Sequence, residues 1–236
     1  MTKHFMVEAS FSGLFPAAEI GVIVARGIDN RRSAGLDDAR LLGEGASEAG
    51  KHLLHPEFSQ NPVVAQWREA FRKFRTKKGA RSSIEALLKR VSTGNPVGSI
   101  NPLVDLYNFI SMKYAIPCGG ETLGAIDGDL RLTVASGGEP FLPLGAEADE
   151  PALAGEVIYR DDSGAVCRCF NWREAQRTLL TEQTTAAVLV LEQADGARGL
   201  ELRAALDELA GLIRTRLGGD TEIHLIQKTG RVELEA

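Results

Sequence analysis

Near residue 128 the spacing of apolar residues changes from helical to alternating, and this change limits the fold more than any other feature of the chain. Upstream, "NPVVAQWREAFRKF" sets Asn61 as an N-cap and Pro62 at the first helical position, and Val63, Trp67, Phe71 and Phe74 follow at helical spacing. "RTKKGA" breaks that pattern and "SSIEALLKRV" restarts it. Ser82 and Glu85 stand at capping-box spacing, and Ile84, Leu87, Leu88 and Val91 form one apolar face. After the Gly/Pro loop "STGNPVGSINP", Asn101 and Pro102 open a third helix that runs to about Ala115. Downstream, "DLRLTVA", "EVIYRDD", "AVCRCFN" and "AAVLVLE" alternate as strands do, and "DDSG" predicts a hairpin between the second and third.

The flanks complete the pattern. Residues 5–10 and 19–26 read as strands and 36–53 as a helix. Residues 200–217 make an amphipathic helix ended by Gly218-Gly219, and "EIHLIQ" reads as the last strand. Helices and strands mix without the strict alternation of a doubly wound sheet, so the expected fold class is α+β, one domain over 1–236. A chain of 236 residues is long enough to bury a real core.

No stretch approaches the roughly 20 apolar residues of a membrane helix. The start, "MTKHFMVEAS", lacks the apolar segment of an export signal. Three cysteines, an odd number in a chain this long, argue against a disulfide framework and for a reducing, cytoplasmic setting. The net charge of −5 argues against nucleic acid, but the distribution reverses that locally. Residues 65–90 hold nine Lys/Arg and two Glu, leaving 18 basic and 30 acidic residues elsewhere. Within that block Arg72, Lys73, Arg75, Lys77, Lys78 and Arg81 are candidate contacts to a polyanion, or else one solvated face.

Dinucleotide, P-loop and G-x-S-x-G motifs are absent. His52 and His55 lie three apart with nothing placed to complete a metal site, so no metal and no cofactor is expected. Cys167 and Cys169 alternate on a strand and read as core residues. Cys118 in "IPCGGE" has no basic partner marked for a nucleophile. In "FNWREAQRTLLTEQTT", Asn171, Trp172 and Arg173 precede four threonines. Arg with Trp can stack on a base, and Asn and Thr can bond sugar or phosphate; a buried Trp beside a capped turn is the plainer reading. In "GSINPLVDLYNF", Asn101, Asp105 and Asn108 draw a polar stripe down an otherwise apolar helix. Such a stripe is either a pocket wall or a network tying the helix to a loop.

Taken together, "RSSIEALLKRV", "INPLVDLYNFISMKYAIPCGGETLGAIDGDLRLTVASGGEPF" and "GEVIYRDDSGAVCRCFNWREAQRTLLTEQTT" resemble the freestanding B3/B4-domain proteins, most clearly over 60–195. These are similar to the editing module in the beta chain of bacterial phenylalanyl-tRNA synthetase. The resemblance implies a B3/B4-like domain of mixed sheet layers packed on helices. It also implies a chemistry, hydrolysis of an amino acid wrongly esterified to tRNA. On the helix lining the module's pocket, "LVDLYNF" keeps Asp105 and Asn108 and sets Tyr107 where the module has threonine. In "AIPCGG" Pro117 matches, while Gly119 takes the place of the module's histidine. "TEQTTAAVLVLEQ" aligns Glu192 with the pocket glutamate.

What the resemblance implies is a deacylase acting in trans on aminoacyl-tRNA, with Glu192 and Asn108 as the catalytic pair. Asp105, Tyr107, Pro117, Gly119, Gly120, Asn171 and Arg173 would form the substrate pocket. Backbone amides around Gly119 and Gly120 would hold the oxyanion. Two alternatives stay open: a noncatalytic tRNA- or nucleic-acid-binding domain with a retired pocket, and a small-molecule amino-acid binder.

Overall fold

The computed structural model describes residues 2–33 and 38–234. In chain order the elements are β1 (His4–Val7), α1 (Ala9–Leu14), β2 (Glu19–Arg26), α2 (Asp38–Ala49), α3 (Pro62–Phe71), α4 (Ser83–Ser92), α5 (Pro102–Tyr114), β3 (Cys118–Thr122), β4 (Leu130–Val134), β5 (Val157–Arg160), β6 (Ala165–Arg168), β7 (Arg173–Glu174), β8 (Ala186–Gln193), α6 (Gly199–Leu217), β9 (Asp220–Gln227) and β10 (Gly230–Glu233). Two sheets form, in the orders β10-β1-β4-β5-β6-β7 and β3-β8-β2-β9. The β1–β4 pair is parallel; every other pairing is antiparallel. The fold is α+β.

The smaller sheet is a middle layer because its central strands are apolar on both faces. On β2, Ile23 and Ala25 face a core shared with α5 and α6, while Ile20, Val22 and Val24 face the core shared with the larger sheet. On β8, Leu189 and Leu191 take the helix side, and Val188 and Val190 the sheet side. This is the period-two alternation of a strand buried on both sides. Glu192 follows Val190 by two residues, so the same alternation carries its carboxyl into the space between the sheets.

Several sequence expectations need correction. The strand over 5–10 ends at Val7, and Ala9 opens the short helix α1. Its Phe11 and the Phe15 that follows it pack with Phe170 at ring separations of 5.3 and 5.6 Å, and Trp67 stacks edge-on to Phe170 at 5.5 Å. The helix over 36–53 spans Asp38–Ala49 plus a 3-10 turn at Gly50–His52; residues 36 and 37 lie outside the described residues. Asn61 stands before α3 but does not cap it with its side chain, which instead accepts from the His55 amide at 2.8 Å. The Ser82 hydroxyl does cap α4, accepting from the Glu85 amide at 3.2 Å, while the Glu85 carboxylate turns to Arg68 at 2.7 Å. The segment "CGGET", assigned to no element in the sequence reading, is the edge strand β3, and a strand also absent from that reading, β10, follows β9.

The hairpin at "DDSG" forms as expected, with β5 antiparallel to β6. The strand "AVCRCFN" stops at Arg168, because Cys169 and Phe170 both adopt left-handed conformations, φ 48° and 66°. Cys167 and Cys169 therefore do not share a strand face: Cys167 looks between the sheets, whereas the Cys169 sulfur accepts from the Lys77 amide at 3.4 Å. The two left-handed residues turn the chain sharply, so that Asn171 points back between the sheets.

Candidate active site

Between the sheets lies a cavity of about 390 Å³, closed at one side by the first turns of α4 and by Tyr107 and Asn108 of α5. Its walls are mainly apolar, among them Leu130, Phe170 and Val190, and three glutamates, Glu121, Glu174 and Glu192, enter it. Three carboxyl groups among apolar walls need partners or protons, because isolated charge is costly away from water.

Glu192 has partners from the opposite sheet. The Tyr159 hydroxyl of β5 donates to its Oε1 at 2.6 Å, and the Asn171 carboxamide donates to its Oε2. Asn171 also anchors α4, since its backbone and side-chain oxygens accept from the Ser83 amide at 3.2 and 3.3 Å. One asparagine thus links β6, β8 and α4 at the cavity. Burial pushes the Glu192 carboxyl up to about 8, against the opposing pull of the two donors. The same burial, with Glu192 nearby, holds the Tyr159 hydroxyl well above its ordinary value.

Glu174 and Glu121 form a second group, which sequence reasoning did not single out. Burial pushes Glu174 up to about 7, opposed by the Gly120 backbone amide. Burial and then the nearby Glu174 push Glu121 well above the ordinary range. The two thiols of the cavity, Cys118 and Cys167, are also pushed well up, first by burial and then by the surrounding carboxylates. All three cysteines are free and buried. A thiol held neutral this way is a poor nucleophile, which removes the chemical basis for one at Cys118.

The sequence-selected residues divide into groups. Tyr107, Asn108, Gly119, Gly120, Asn171, Arg173 and Glu192 all line the cavity. The half-buried Asn108 carboxamide has no hydrogen-bond partner among the described residues. Arg173 is exposed, its guanidinium 4.9 Å over the Trp172 ring, so this stacked pair forms a rim at the cavity's open side.

Asp105 and Pro117 do not line it. The fully buried Asp105 carboxylate accepts from the Ser99 hydroxyl and, at 2.8 Å, from the Ile100 amide, tying down the loop before α5. The Pro117 carbonyl accepts from the Glu192 amide at 3.3 Å and so begins the β3–β8 ladder. The polar stripe of α5 therefore splits by task. Asn101 caps the helix through the Val104 amide at 3.1 Å and joins Asn30 at 3.0 Å, Asp105 holds a loop, and Asn108 faces the cavity.

The ladder also engages the backbone amides expected as oxyanion donors. Because Pro117 accepts from Glu192, the next bonded pair along the two strands is Gly119 with Val190. The Gly119 amide is thereby used in the sheet, and the Gly120 amide is directed at Glu174.

None of the six basic residues lines the cavity. Arg72 pairs with Glu69 and Lys77 with Glu150, and the Lys73 ammonium sits 5.1 Å over the Phe15 ring. Arg75, Lys78 and Arg81 are exposed without an ion pair among the described residues. His52 bonds the Lys113 carbonyl at 2.9 Å and His55 its own loop, so the two do not converge, and no cluster among the described residues has the makings of a metal site. No helix among the described residues is long and apolar enough to cross a membrane.

Comparison with known proteins finds a solved structure, an N-terminal fragment of the phenylalanyl-tRNA synthetase beta-subunit from Pyrococcus horikoshii, with a TM-score of 0.45 and 10% identity. The alignment covers 92% of this chain and 49% of the fragment, so the chain spans about half the fragment's length. Among curated proteins no match is found. The family model described as "B3/4 domain" matches residues 66–213, a stretch that includes α4, α5, β3 and β8 and every residue lining the cavity. The chain belongs to the B3/4 domain family.

Proposed function

We propose that this protein hydrolyses, in trans, the ester of a mischarged aminoacyl-tRNA, with the amino acid in the cavity between the sheets and the terminal adenosine on the Trp172–Arg173 rim. The observation that carries this reading is the combination at one opening of buried Glu192, clamped by Tyr159 and Asn171, and an exposed arginine–tryptophan stack. An aminoacyl end needs both features: a pocket for a small zwitterion-derived group and a flat surface for a base, where stacking contributes about 1–3 kcal/mol. In the reaction, water adds to the ester carbonyl, the carbon–oxygen bond to the ribose breaks, and the proton passes to the ribose oxygen. Free amino acid and uncharged tRNA result. The ester is already activated, so positioned water and an oxyanion donor suffice.

Asn108 is the cavity's unoccupied amide donor and takes the oxyanion role in this reading. Glu192 orders the water through a carboxyl held in one orientation from two sides. The tRNA backbone runs along the exposed, unpaired Arg75, Lys78 and Arg81, with Lys73 beside them; Arg72 and Lys77, already in ion pairs, contribute less. A reducing cytoplasmic setting accords with three unpaired thiols.

A second reading, a noncatalytic binder of tRNA or of an amino acid, draws support from the engagement of both glycine amides. Deacylation time courses with a panel of mischarged tRNAs separate the two. The hydrolase reading requires at least one charged tRNA to lose its amino acid faster with the protein than in buffer, and decay at the buffer rate across the panel leaves the binding reading.

A further inference from the structure

We infer that Glu121 and Glu174 form a subsite for a primary ammonium group, the α-amino group of an amino acid or its ester. The inference rests on the proposed site for the aminoacyl end and names the group that enters its acidic corner. Gly119 and Glu121 lie two apart on β3 and so project to the same face. Glu174 of β7 stands across from them: a Cβ built on Gly119 would come within 3.2 Å of the Glu174 Oε1. The glycine thus leaves a gap beside the Glu174 carboxyl, on the strand face it shares with Glu121.

Glu121 is only 6% exposed, yet its Oε2 makes no well-formed hydrogen bond; the neutral Thr178 hydroxyl beside it is itself buried and without a partner. A buried carboxylate oxygen without a partner is rare and needs an explanation. The protein does not supply a cation to it. Arg177 faces Glu121 but is committed to Asp161, with nitrogen–oxygen distances of 2.7 and 2.5 Å. Arg173, the one cationic residue among those lining the cavity, is at the rim. The other groups facing the pair are Thr178, Asp161, Tyr107, Cys118 and Cys167, with Glu192 in the same cavity, each neutral or acidic. A ligand ammonium has three donors and one positive charge, which is what this pair of buried carboxyl groups lacks.

The empty pair holds protons near neutrality, since burial raises both groups. An ammonium group entering the gap displaces a proton from the pair. Binding therefore releases protons and tightens as pH rises through about 7, until the ligand's own amine, with an ordinary value of about 7.7–8.0, loses its charge.

The test is calorimetric titration of the full chain with a panel of amino-acid amides and their N-acetyl forms, at neutral pH in buffers of different ionisation enthalpy. At least one amide should bind with proton release, and its N-acetyl form should bind about tenfold or more weakly. An E121Q/E174Q double variant should lose both the proton release and the discrimination. Single E174Q serves if the double variant does not fold. Binding by none of the amides, equal affinity for the acetylated forms, or undiminished proton release in the variants would each overturn the subsite. The deacylase reading fails separately. Amine binding without hydrolysis of any charged tRNA removes the enzyme and leaves the subsite, whereas equal hydrolysis of N-acetylated and free aminoacyl-tRNA removes the subsite and leaves the enzyme.

Discussion

Replacing Glu192 by glutamine should change how stability depends on pH. The carboxyl is 2% exposed, and burial raises it from 4.5 to about 8 despite donors from Tyr159 and Asn171. A carboxyl raised on folding is bound to its proton more tightly in the native state, so the unfolded chain releases that proton first. Its contribution to stability is complete below about pH 4.5 and is lost as pH rises towards about 8. From about pH 5 to about pH 8 the wild-type protein therefore loses about 3–4 kcal/mol through this group. Glutamine has no proton to lose, but its NH₂ must face one of the two existing donors, at a cost of about 1 kcal/mol at every pH. Glu192→Gln should then be about 1 kcal/mol less stable than wild type near about pH 5 and about 2–3 kcal/mol more stable near about pH 8. Urea unfolding of both proteins at four pH values measures this, because groups common to the two cancel in the difference. Stability curves that stay parallel over the whole range would refute the argument that Glu192 is buried with its charge uncompensated.

Other substitutions probe the walls of the site. Gly120→Ala should destabilise by about 1–3 kcal/mol in thermal or urea unfolding, because its new methyl would meet the Leu189 side chain at 2.5 Å. Asn171→Ala should cost about 1–3 kcal/mol of stability, and by freeing the Glu192 carboxyl it should slow any deacylation, read from a time course. Cys118→Ala should leave turnover of the best charged tRNA within about twofold of wild type, since a buried neutral thiol does no nucleophilic work; a folded but inactive variant would restore the thioester route. If Arg75, Lys78 and Arg81 meet phosphates, replacing each by Ala should lower the log–log salt slope of tRNA binding by about 0.9 in duplex regions and about 0.7 in single strands.

Much of this fold was legible where sequence period and burial agree. The helices α4, α5 and α6 and strands β2 and β8 bury regular apolar patterns, and periodicity found all five. Short or irregular elements were not legible. α1 has six residues, too few for a helical period, and β10 is an edge strand of four residues in which Val232 alone is buried. β3 does not read as a strand because of its two glycines, yet Gly120 is needed for space against Leu189 and Leu180.

At the site, α5 offered three aligned polar residues, and only the fold separates Asn101 and Asp105, bonded to backbone and loop, from Asn108, which faces the cavity. Glu121 and Glu174 escaped notice for a related reason. In "GGET" and "NWRE" each resembles an ordinary surface glutamate, and no local pattern records that the fold brings together two residues 53 positions apart. A glycine followed two residues later by a carboxylate on a short strand was the only local hint.

The central claim, that the cavity between the sheets receives the aminoacyl end of tRNA, is tested most directly by a structure of the full chain with a 3′-aminoacylamino-adenosine, in which an amide replaces the labile ester. The account predicts the amino-acid side chain between the sheets, its ammonium group against Glu121 and Glu174, the amide carbonyl at Asn108, and the adenine on Trp172 and Arg173. The analogue bound elsewhere, or bound with its adenosine in the cavity and its amino acid in solvent, would contradict it.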